Sequence, residues 1–581
     1  MAAREAAKAL KARLRSLPGM RQVRMARLRH IARHGGHPDW RRLIGDDWPA
    51  WEAARGAAAG PRVLVATGIG GHLGLAGLDA LLGVALTLRG AQVDFLLCDE
   101  ALPACQMAEA GWYPDPARFV RKGPSELCGQ CYAPAAAGFR SSGLAVETYD
   151  GWLSEADRRL AADLAARTPA EGLAAVRLDD APLGEQALAG ALRFFAKGSL
   201  AGEPSGEAVL RRFLHAALLT YLAMKRLVSE RGYEVVVAHH GIYVPQGPAA
   251  LGAAAGGARI VTWNPAYRRH CFIFSHDDTY HHTLMAEPAE AWQDLALSPA
   301  QEAEIVGYLK SRWTGSGDWI FFHERPTFDG SAIGRELGLD PEKPTIGLLT
   351  NVVWDAQLHY PANAFGSMME WVEASIRAFA ERPDLQLAIR VHPAEIRGTP
   401  ASRQRVVEEI GKRFSRLPEN VFIVPPESPI STYALLELCD SALIYGTKMG
   451  VELTAMGIPT IVAGEAWIRN KGLTRDADSP AHYRELLESL PAGRRLDRET
   501  VARARRYAYH FFFRRMIPLP FMEPTGGWPP YRPELSGLAA LRPGATPGLD
   551  TVCDGILEGR PFVFPAERQQ PAAVPTPAEA R

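Results

Sequence analysis

The feature that most constrains the fold is a regular alternation of short apolar strands with longer helices in both halves of the chain. In the first half, PRVLVATG (61–68) is followed by a glycine-rich turn, a leucine-rich helix and a second apolar segment, AQVDFLLCDE (91–100). In the second half, the alternation runs from PTIGLLTNVVWD (344–355) to PTIVAG (459–464). Strands that alternate with helices in this way predict βαβ units and parallel sheets.

The length of 581 residues requires more than one domain, because single hydrophobic cores rarely grow beyond ~250–300 residues. The two alternating regions therefore predict an α/β protein with two Rossmann-like, doubly wound domains that face a cleft. The domain boundaries follow changes of pattern along the sequence. The predicted segments are a basic helical extension (1–56), an N-terminal domain (57–335), a C-terminal domain (336–500), a crossover helix with a C-terminal segment (501–563) and a Pro/Ala-rich disordered tail (564–581).

Charge and cysteine content exclude several classes of protein. Lys plus Arg and Asp plus Glu each total 65, so no overall positive field favours nucleic acid as a partner. No stretch reaches the roughly 18–20 apolar residues of a membrane span, and no apolar signal segment follows the N-terminus. Seven Cys in a chain of this length indicate a reducing compartment rather than a disulfide framework. We therefore expect a cytoplasmic protein.

The first 43 residues are locally basic, with twelve Lys or Arg against only Glu5 and Asp39. Leu10, Leu14 and Leu17 share one face of a predicted amphipathic helix whose other face is basic. Two interpretations remain open for this extension. It is either a solvated helix packed on the neighbouring domain or a peripheral contact with anionic lipid at the inner membrane.

Polar residues follow the strands of the second half at the points where these strands end. Ligands of open parallel sheets bind beyond the carboxyl ends of the strands. The segment YGTKMGVE (445–452) places Gly, Thr and Lys in a turn before a helix, an arrangement that binds phosphate. Helix capping and helix-dipole contacts are the structural alternatives for several of these residues. The strand-end residues expected at a nucleotide site are Asn351, Trp354, Asp355, Arg390, His392, Glu395, Ser428, Ser431, Thr432, Gly446, Thr447, Lys448, Gly450 and Glu452.

Five segments together resemble the capsule polysaccharide biosynthesis family, a group of GT-B-type glycosyltransferases that includes the bacterial β-Kdo transferases. These segments are NVVWDA, EWVEASI, IRVHPAE, STYALLELCDSALIYGTKMGVELTAMGIPTIVAG and YAYHFFFRRMIPL. The resemblance covers roughly residues 340–520 well and 60–290 loosely. A more distant resemblance is to the GT-B sialyltransferases, which share a His-Pro plus Ser-Thr signature for a CMP-linked sugar.

The resemblance implies a nucleotide-sugar donor, possibly in CMP-linked form, and a role for individual residues. It implies that His392 contacts the nucleotide phosphate and that Glu452 holds the ribose. Gly446 stands where the family often has Ser, which removes one hydroxyl donor from this chain. The other residues that the resemblance implies around the phosphate are Ser431, Thr432, Thr447, Lys448 and Gly450.

Candidate catalytic groups occur in the first half, in ATGIGGHLG (66–74), VVVAHHGIYVPQG (235–247) and FSHDDTYHH (274–282). Glycosyl transfer requires a base for the acceptor hydroxyl, or a carboxylate nucleophile if a covalent intermediate forms. Asp277, Asp278 and His240 have this chemistry, and His72 lies in a glycine-rich loop suited to the acceptor. A polar loop network is the alternative for each of them. Clamping of the leaving phosphate by Arg390, His392 and helix N-termini would need no metal cofactor.

Four of the seven Cys fall within 34 residues, Cys98, Cys105, Cys128 and Cys131. The CGQC segment has the spacing of a metal knuckle, and four thiolates satisfy a structural Zn²⁺. The first pair is spaced more widely than is usual in such sites. Structural zinc, an iron–sulfur cluster and reduced free thiols therefore remain alternatives.

The sequence as a whole predicts a metal-independent glycosyltransferase that moves a sugar from a nucleotide donor to a glycan or glycolipid acceptor. One alternative within the same superfold is a glycerophosphate or phosphosugar polymer transferase, or a nucleotide-sugar epimerase. Another is a non-catalytic partner in polysaccharide assembly or export.

Overall fold

The computed structural model describes residues 36–321, 326–356, 358, 360–493, 495–525 and 531–569, together with residues 23, 26 and 30. The predicted amphipathic helix with Leu10, Leu14 and Leu17 lies outside the described residues. Residues 570–581 of the predicted tail also lie outside them. Residues 564–569 of that segment are described and include a 3-10 turn at Ala566–Arg568.

The described residues form two compact units. The described residues of unit 1 lie within Met1–Phe194, Leu200–Trp263 and Leu519–Arg560, and those of unit 2 lie within Phe195–Ser199, Asn264–Pro518 and Pro561–Arg581. Residues 264–335, which the sequence analysis assigns to the N-terminal domain, are therefore grouped with unit 2.

Unit 1 contains a parallel sheet, and the residues of its central strands are almost completely buried. Its strands are β1 (Arg62–Gly68), β2 (Gln92–Leu97), β3 (Ala145–Thr148), β4 (Val235–His239) and β5 (Arg259–Pro265). They lie in the order β5-β4-β1-β2-β3, with Val63 of β1 paired to Val93 and Val235. The strand order thus reverses between β1 and β4, which makes their carboxyl ends a topological switch point.

Helices of unit 1 connect these strands, and leucine-rich faces explain their burial. All but one residue of LGLAGLDALLGVALT (73–87) is buried. The helices are α1 (Trp40–Ile44), α2 (Trp48–Ala57), α3 (Leu73–Thr87), α4 (Pro116–Lys122), α5 (Ser125–Cys128), α6 (Tyr132–Arg140), α7 (Glu155–Arg167), α8 (Leu183–Phe195), α9 (Gly206–Arg231) and α10 (Gln246–Ala255).

Unit 2 contains an antiparallel pair and a larger parallel sheet. The pair is β6 (Cys271–His276) with β13 (Ile517–Pro518). The sheet consists of β7 (Thr345–Leu349), β8 (Gln386–Arg390), β9 (Val421–Val424), β10 (Ser441–Ile444), β11 (Thr460–Val462) and β12 (Arg475–Asp476). Its order is β12-β11-β10-β7-β8-β9, which is the 3-2-1-4-5-6 order of a dinucleotide-binding Rossmann sheet. Its switch point lies between β7 and β10.

Amphipathic helices cover this sheet, and the side chains of Trp371, Val372 and Ile376 are fully buried against it. A π-helix at His510–Arg514 continues the last helix of the unit. The helices are α11 (Tyr280–Met285), α12 (Pro299–Thr314), α13 (Gly330–Leu337), α14 (Met368–Ala380), α15 (Ala394–Arg397), α16 (Val406–Arg413), α17 (Thr432–Glu437), α18 (Met449–Ala455), α19 (Pro480–Glu488) and α20 (Arg498–Tyr509).

The last part of the chain returns to unit 1, where it adds an antiparallel pair and a helix. These are β14 (Met522–Pro524), β15 (Tyr531–Pro533) and α21 (Pro547–Glu558). The prediction of an α/β fold with parallel sheets is confirmed in both units. Within the described part of the chain, no helix is long and apolar enough to cross a membrane.

Candidate functional site

The switch point of unit 2 is spanned by Asn351, which follows β7, and Gly446, which follows β10. The Asn351 side-chain amide donates a hydrogen bond to the Gly446 carbonyl oxygen. A Cβ atom at Gly446 would lie 3.2 Å from the Glu465 carbonyl oxygen, so glycine permits this close approach. Asn351 Oδ1 is buried and has no hydrogen-bond donor among the described residues. A buried acceptor without a donor costs free energy unless a ligand or water satisfies it.

Arg390 lies inside the protein, because it is the last residue paired within β8 and only 2% of its surface is exposed. Its Nη1 donates to the Pro425 carbonyl oxygen (2.7 Å), Nη2 donates to the Ser428 carbonyl oxygen (3.4 Å), and Nε donates to Thr432 Oγ1 (3.3 Å). Burial lowers the pKa of Arg390 to about 10, so it remains charged at neutral pH. The Arg390 guanidinium thus donates to carbonyl and hydroxyl groups of the loop after β9. The sequence analysis predicts instead that it binds an anionic ligand.

Replacing Arg390 by Met is expected to lower the free energy of unfolding by about 2–3 kcal/mol, because the buried carbonyl groups of the loop lose their charged donor. Urea unfolding followed by circular dichroism measures this change. Arg416→Met is the matched control, since Arg416 is exposed and pairs only with the exposed Glu419 among its described ion pairs. We expect that variant to stay within about 0.5 kcal/mol of the wild type. Equal effects of the two substitutions would contradict the assigned role.

His392 is half-buried just beyond β8, and two hydrogen bonds fix its position. Its backbone N–H donates to Thr350 Oγ1 (3.1 Å), and its ring Nδ1 accepts from the Ala394 backbone N–H (3.1 Å). Because Nδ1 is an acceptor, the neutral ring carries its proton on Nε2. His392 therefore lies at the carboxyl end of β8 with its ring proton on Nε2.

Ser431 and Thr432 begin α17, and both hydroxyl groups have protein partners. Ser431 Oγ accepts a hydrogen bond from the Ala434 backbone N–H (3.4 Å) and so caps the helix. Thr432 Oγ1 accepts from Arg390 Nε, and Ser428 Oγ accepts from the Ile430 backbone N–H (3.2 Å). These residues are brought next to the end of β8, and their described contacts are structural.

The turn before α18 depends on small residues. Thr447 Oγ1 accepts a hydrogen bond from the Met449 backbone N–H (3.3 Å). A Cβ atom at Gly450 would lie 2.5 Å from Ile468 Cγ2 and 2.7 Å from Ile444 Cδ1. Gly450 therefore allows α18 to pack closely against β10, and this packing sets the direction of the preceding turn.

Glu452 is completely buried in α18 and accepts hydrogen bonds from three side chains. Lys448 Nζ donates to Oε1 (2.8 Å), while Arg312 Nε (2.9 Å) and the Tyr433 hydroxyl (2.6 Å) donate to Oε2. Burial alone would raise the pKa of Glu452, but the charges of Arg312 and Lys448 lower it to about 2. Glu452 is thus an ionised counter-ion of two cations, and the ribose contact implied by the resemblance remains a prediction.

A second carboxylate and an aromatic ring complete this buried cluster, and the sequence analysis predicts neither. Arg312 Nη1 lies 2.5 Å from Asp318 Oδ2, and Asp318 Oδ1 accepts from the Tyr308 hydroxyl (2.8 Å). The Tyr267 ring centre lies 4.8 Å from Lys448 Nζ and 5.6 Å from the Arg312 guanidinium carbon. Burial and Arg312 both lower the pKa of Lys448, so Arg312 is the more constant of the two positive charges.

Trp354 and Glu395, also expected at the strand ends, are buried and hold neighbouring backbone segments. Trp354 Nε1 donates to Ser402 Oγ (3.0 Å), and Glu395 Oε2 accepts from the Val406 backbone N–H (2.8 Å). Their described contacts support the loops after β7 and β8.

Asp277 and Asp278 are exposed between β6 and α11 of unit 2. Asp277 adopts a left-handed backbone conformation with φ of 60°, and the Asp278 carboxylate lies 3.0 Å from His282 Nδ1. Asp355 is exposed after β7. Burial raises the pKa of Tyr280, and the charge of Asp355 adds to this rise.

His72 and His240 lie at the switch point of unit 1, at the ends of β1 and β4. Burial and the charge of Arg193 lower the pKa of His72 to about 3, so its imidazole is neutral at physiological pH. His240 has a left-handed backbone conformation with φ of 65°, and its N–H donates to the Trp263 carbonyl oxygen (2.8 Å). A non-glycine residue in this conformation is strained, and such strain is often found at functional sites.

Asp79 is a buried carboxyl group of unit 1 that the sequence analysis does not predict. It lies within α3, and Trp263 Nε1 donates to its Oδ1 atom (2.8 Å). The Trp263 ring in turn packs against His239, with 5.1 Å between ring centres. Burial raises the pKa of Asp79 to about 7. A single acidic residue within the apolar segment LGLAGLDALLGVALT was the signal that could have identified it.

The four clustered Cys all lie in unit 1, and all seven Cys of the chain are free thiols. Among the described residues, no three His, Cys, Asp or Glu side chains are positioned, as they stand, to hold a metal ion.

Comparison with known proteins identifies a family for part of unit 2. Residues 337–498 match the family model described as "Capsule polysaccharide biosynthesis protein", which confirms the predicted resemblance for about a quarter of the chain. No curated protein matches the chain.

Several solved structures are also similar to this chain. The β-Kdo 2,4 transferase KpsC of Thermosulfurimonas dismutans is 16% identical, over 48% of this chain and 80% of that chain, with a TM-score of 0.32. The β-Kdo 2,7 transferase KpsC of the same organism is 12% identical over 49% and 79%, with a TM-score of 0.28. The UDP-GlcNAc 2-epimerase of Neisseria meningitidis, bound to UDP-GlcNAc, is 9% identical over 77% and 98%, with a TM-score of 0.28.

Proposed function

We propose that this protein is a glycosyltransferase of surface polysaccharide synthesis, in which unit 2 binds a nucleotide-sugar donor and unit 1 binds a glycan or glycolipid acceptor. The observation that carries the proposal is the switch point between β7 and β10. The sheet has the strand order of nucleotide-binding Rossmann sheets, and Asn351 and Gly446 meet at its switch point. The capsule biosynthesis family match over residues 337–498 includes this region.

The described contacts support separate roles for individual residues at the bound nucleotide. His392, with its ring proton on Nε2, would donate to the phosphate, whereas Asn351 Oδ1 is a buried acceptor that would accept from a hydroxyl or N–H group of the nucleotide. Lys448 carries a positive charge between Glu452 and the face of Tyr267. His392 and Lys448 would stabilise the phosphate of a departing nucleotide by a hydrogen bond and by charge, without a metal ion as a required cofactor.

Transfer to the acceptor requires a base that takes the proton of the acceptor hydroxyl, or a nucleophile that attacks the sugar carbon. Asp277 and Asp278 are exposed carboxylates, and His240 lies at the switch point of unit 1. We assign the base, or the nucleophile of a retaining mechanism, to one of these three residues.

A thermal-shift panel with CMP, UDP, GDP and CDP tests the donor site. The correct nucleotide is expected to stabilise the wild type by about 2.7 kcal/mol when its concentration is 100 times Kd. His392→Ala should weaken this response, because the phosphate loses a hydrogen-bond donor. His482→Ala is the matched control, since His482 lies on α19 and pairs with Asp478 at 3.0 Å. No shift with any nucleotide, or an unchanged shift in His392→Ala, would count against the donor site.

Product analysis then separates the proposed activity from its alternatives. A glycosyltransferase releases the nucleotide and forms a glycoside with the acceptor. An isomerised free nucleotide sugar would instead identify an epimerase, and a phosphodiester product would identify a phosphosugar polymer transferase. Nucleotide binding without any product, across a panel of acceptors, would favour a non-catalytic assembly partner.

A further inference from the structure

A cavity of about 320 Å³ lies in unit 1, beyond the carboxyl end of β2. Its walls are the loop after β2 (100–103), the turn between α4 and α5 (122–125) and one face of α9. Pockets for small molecules have volumes of roughly 300–1,000 Å³, so this cavity has room for one sugar-sized ligand. Its position also fits a ligand, because open parallel sheets bind ligands beyond the carboxyl ends of their strands.

The helix α9 presents two basic side chains to this cavity. Arg212, His215 and Leu219 are spaced three and four positions apart, so they lie on one face of the helix. All three line the cavity. The sequence of α9 therefore places a guanidinium and an imidazole next to an apolar side chain on the same wall.

Arg212 is held in place by the loops around it, yet its charge is not neutralised there. Its Nε donates to the Val120 carbonyl oxygen (2.7 Å), and its Nη1 donates to the Pro103 carbonyl oxygen (2.9 Å). A Cβ atom at Gly123 would lie 2.8 Å from Arg212 Nη1, so glycine makes room for the guanidinium. Within the described part of the chain, Nη2 has no acceptor and the guanidinium has no carboxylate partner. A positive charge without a counter-ion thus lines the cavity.

Two further donors line the same cavity. Lys122 is exposed at the end of α4 and forms no ion pair with the described carboxylates. The ring of His215 has no hydrogen-bond partner among the described residues. Burial and the charge of Arg212 lower the pKa of His215, so the imidazole is neutral at physiological pH. A neutral imidazole still donates one N–H to an anion.

The charges of the lining favour an anion with several oxygen atoms. Three cations, Lys122, Arg158 and Arg212, stand against one carboxylate, Glu100. Arg158 also pairs with the exposed Asp150 at 2.6 Å, so Lys122 and Arg212 are the cations without a described carboxylate partner. A phosphate monoester carries a charge of about −1.5 to −2 and three strong acceptor oxygens. A carboxylate has a single charge and two oxygens, so it matches two cations and an imidazole less well.

We propose that this cavity binds a phosphate monoester the size of a monosaccharide. Arg212, Lys122 and His215 donate to the phosphate oxygens. Glu100 accepts hydrogen bonds from hydroxyl groups of the sugar, and Leu219 packs against its ring. The proposal rests on unit 1 alone and does not depend on the proposed transferase activity.

Calorimetric titration of the full-length protein with glucose 6-phosphate tests the proposal. We expect one site per chain, and Lys122→Gln should weaken binding about tenfold, because one hydrogen bond from a charged donor is lost. Lys122 is exposed, so its replacement leaves the folding of unit 1 intact. Lys310→Gln is the matched control, since Lys310 is exposed on α12 of unit 2 and should not affect the affinity. A wild type that does not bind glucose 6-phosphate, or an unchanged affinity of Lys122→Gln, would overturn the proposal.

Two comparisons test the chemistry of the ligand and the location of its site. Glucuronate carries a carboxylate in place of the phosphate, and glucose carries no charge, so both should bind at least about tenfold more weakly. Glucuronate that binds as tightly as glucose 6-phosphate would refute the assignment to phosphate. His392→Ala should bind glucose 6-phosphate as the wild type does, because His392 belongs to the proposed donor site of unit 2. Loss of binding in that variant would place the ligand in unit 2 and contradict the proposal.

A further measurement uses only the wild type. Lysine side chains are acetylated with an N-hydroxysuccinimide ester, and the rate at each lysine is followed by mass spectrometry. With glucose 6-phosphate at about ten times Kd, the rate at Lys122 should fall to roughly a tenth, because few sites remain empty. The rate at Lys310 should not change. Equal rates at Lys122 with and without the ligand would show that the phosphate binds elsewhere.

Discussion

Glu452→Gln is expected to lower the free energy of unfolding by about 3–5 kcal/mol, because it removes the shared counter-ion of two buried cations. In the wild type, Arg312 and Lys448 both donate to this carboxylate, which is completely buried. The neutral amide cannot balance either charge, and its NH₂ group would face donors. Asp318 still pairs with Arg312, so Lys448 is the residue that loses its ion-pair partner.

The measurement is urea unfolding of the full chain together with the thermal midpoint. Glu488→Gln is the matched control, because Glu488 forms an exposed pair with Arg484 in the same unit, at 3.4 Å. Exposed pairs of this kind contribute at most about 1 kcal/mol, so the control should unfold nearly as the wild type does. If both variants unfold alike, the buried cluster does not stabilise unit 2 as described.

The difference between wild type and Glu452→Gln should also depend on pH. The pKa of Glu452 falls from 4.5 to about 2 on folding, so the folded protein binds fewer protons than the unfolded chain between these values. The stability that Glu452 contributes is therefore complete above pH 4.5 and is lost as the pH falls toward 2. The two unfolding curves should approach each other in that range.

The sequence predicted the framework of the candidate site better than the roles of its residues. Apolar runs identified the strands of both sheets, and their polar ends pointed to Asn351, His392 and Gly446. Arg390 was expected to be exposed at the carboxyl end of its strand. It pairs with both Leu349 and Val424, however, and is therefore still inside the sheet. When a strand ends one residue later than predicted, the side chain at that position lies inside the sheet instead of facing solvent.

Long-range partners explain the other differences between prediction and structure. Glu452 and Arg312 are 140 residues apart, and no local pattern relates a helix residue to a partner at that distance. Glu452 was consequently interpreted through the resemblance, as a ribose ligand. The grouping of the four Cys followed from their short spacing in the sequence, whereas the hydrogen bond from the Gly71 N–H to Cys131 Sγ depends on the conformation of the loop.

Asp79→Asn is expected to stabilise the protein at pH 8 by up to about 4 kcal/mol and to have little effect near pH 4. Asp79 has a pKa of about 7 in the folded protein, against 3.8 for an exposed aspartate, because burial disfavours its charged form. Between these values the folded state binds more protons than the unfolded state. Wild-type stability should therefore fall as the pH rises from 4 to 7 and level off above that range.

The Asn variant separates this ionisation from the packing of the site. Its amide oxygen can still accept the hydrogen bond from Trp263 Nε1, but it carries no charge at any pH. Urea unfolding at intervals from pH 4 to pH 8 gives the free-energy difference between variant and wild type. Asp163→Asn is the control, because Asp163 is exposed on α7 and lies 3.9 Å from Arg167. Its difference from the wild type should be small and nearly constant above pH 5. A difference for Asp79→Asn that does not change with pH would show that Asp79 is ionised in the folded protein across this range. This buried carboxyl group of α3 would then not exchange a proton near neutral pH.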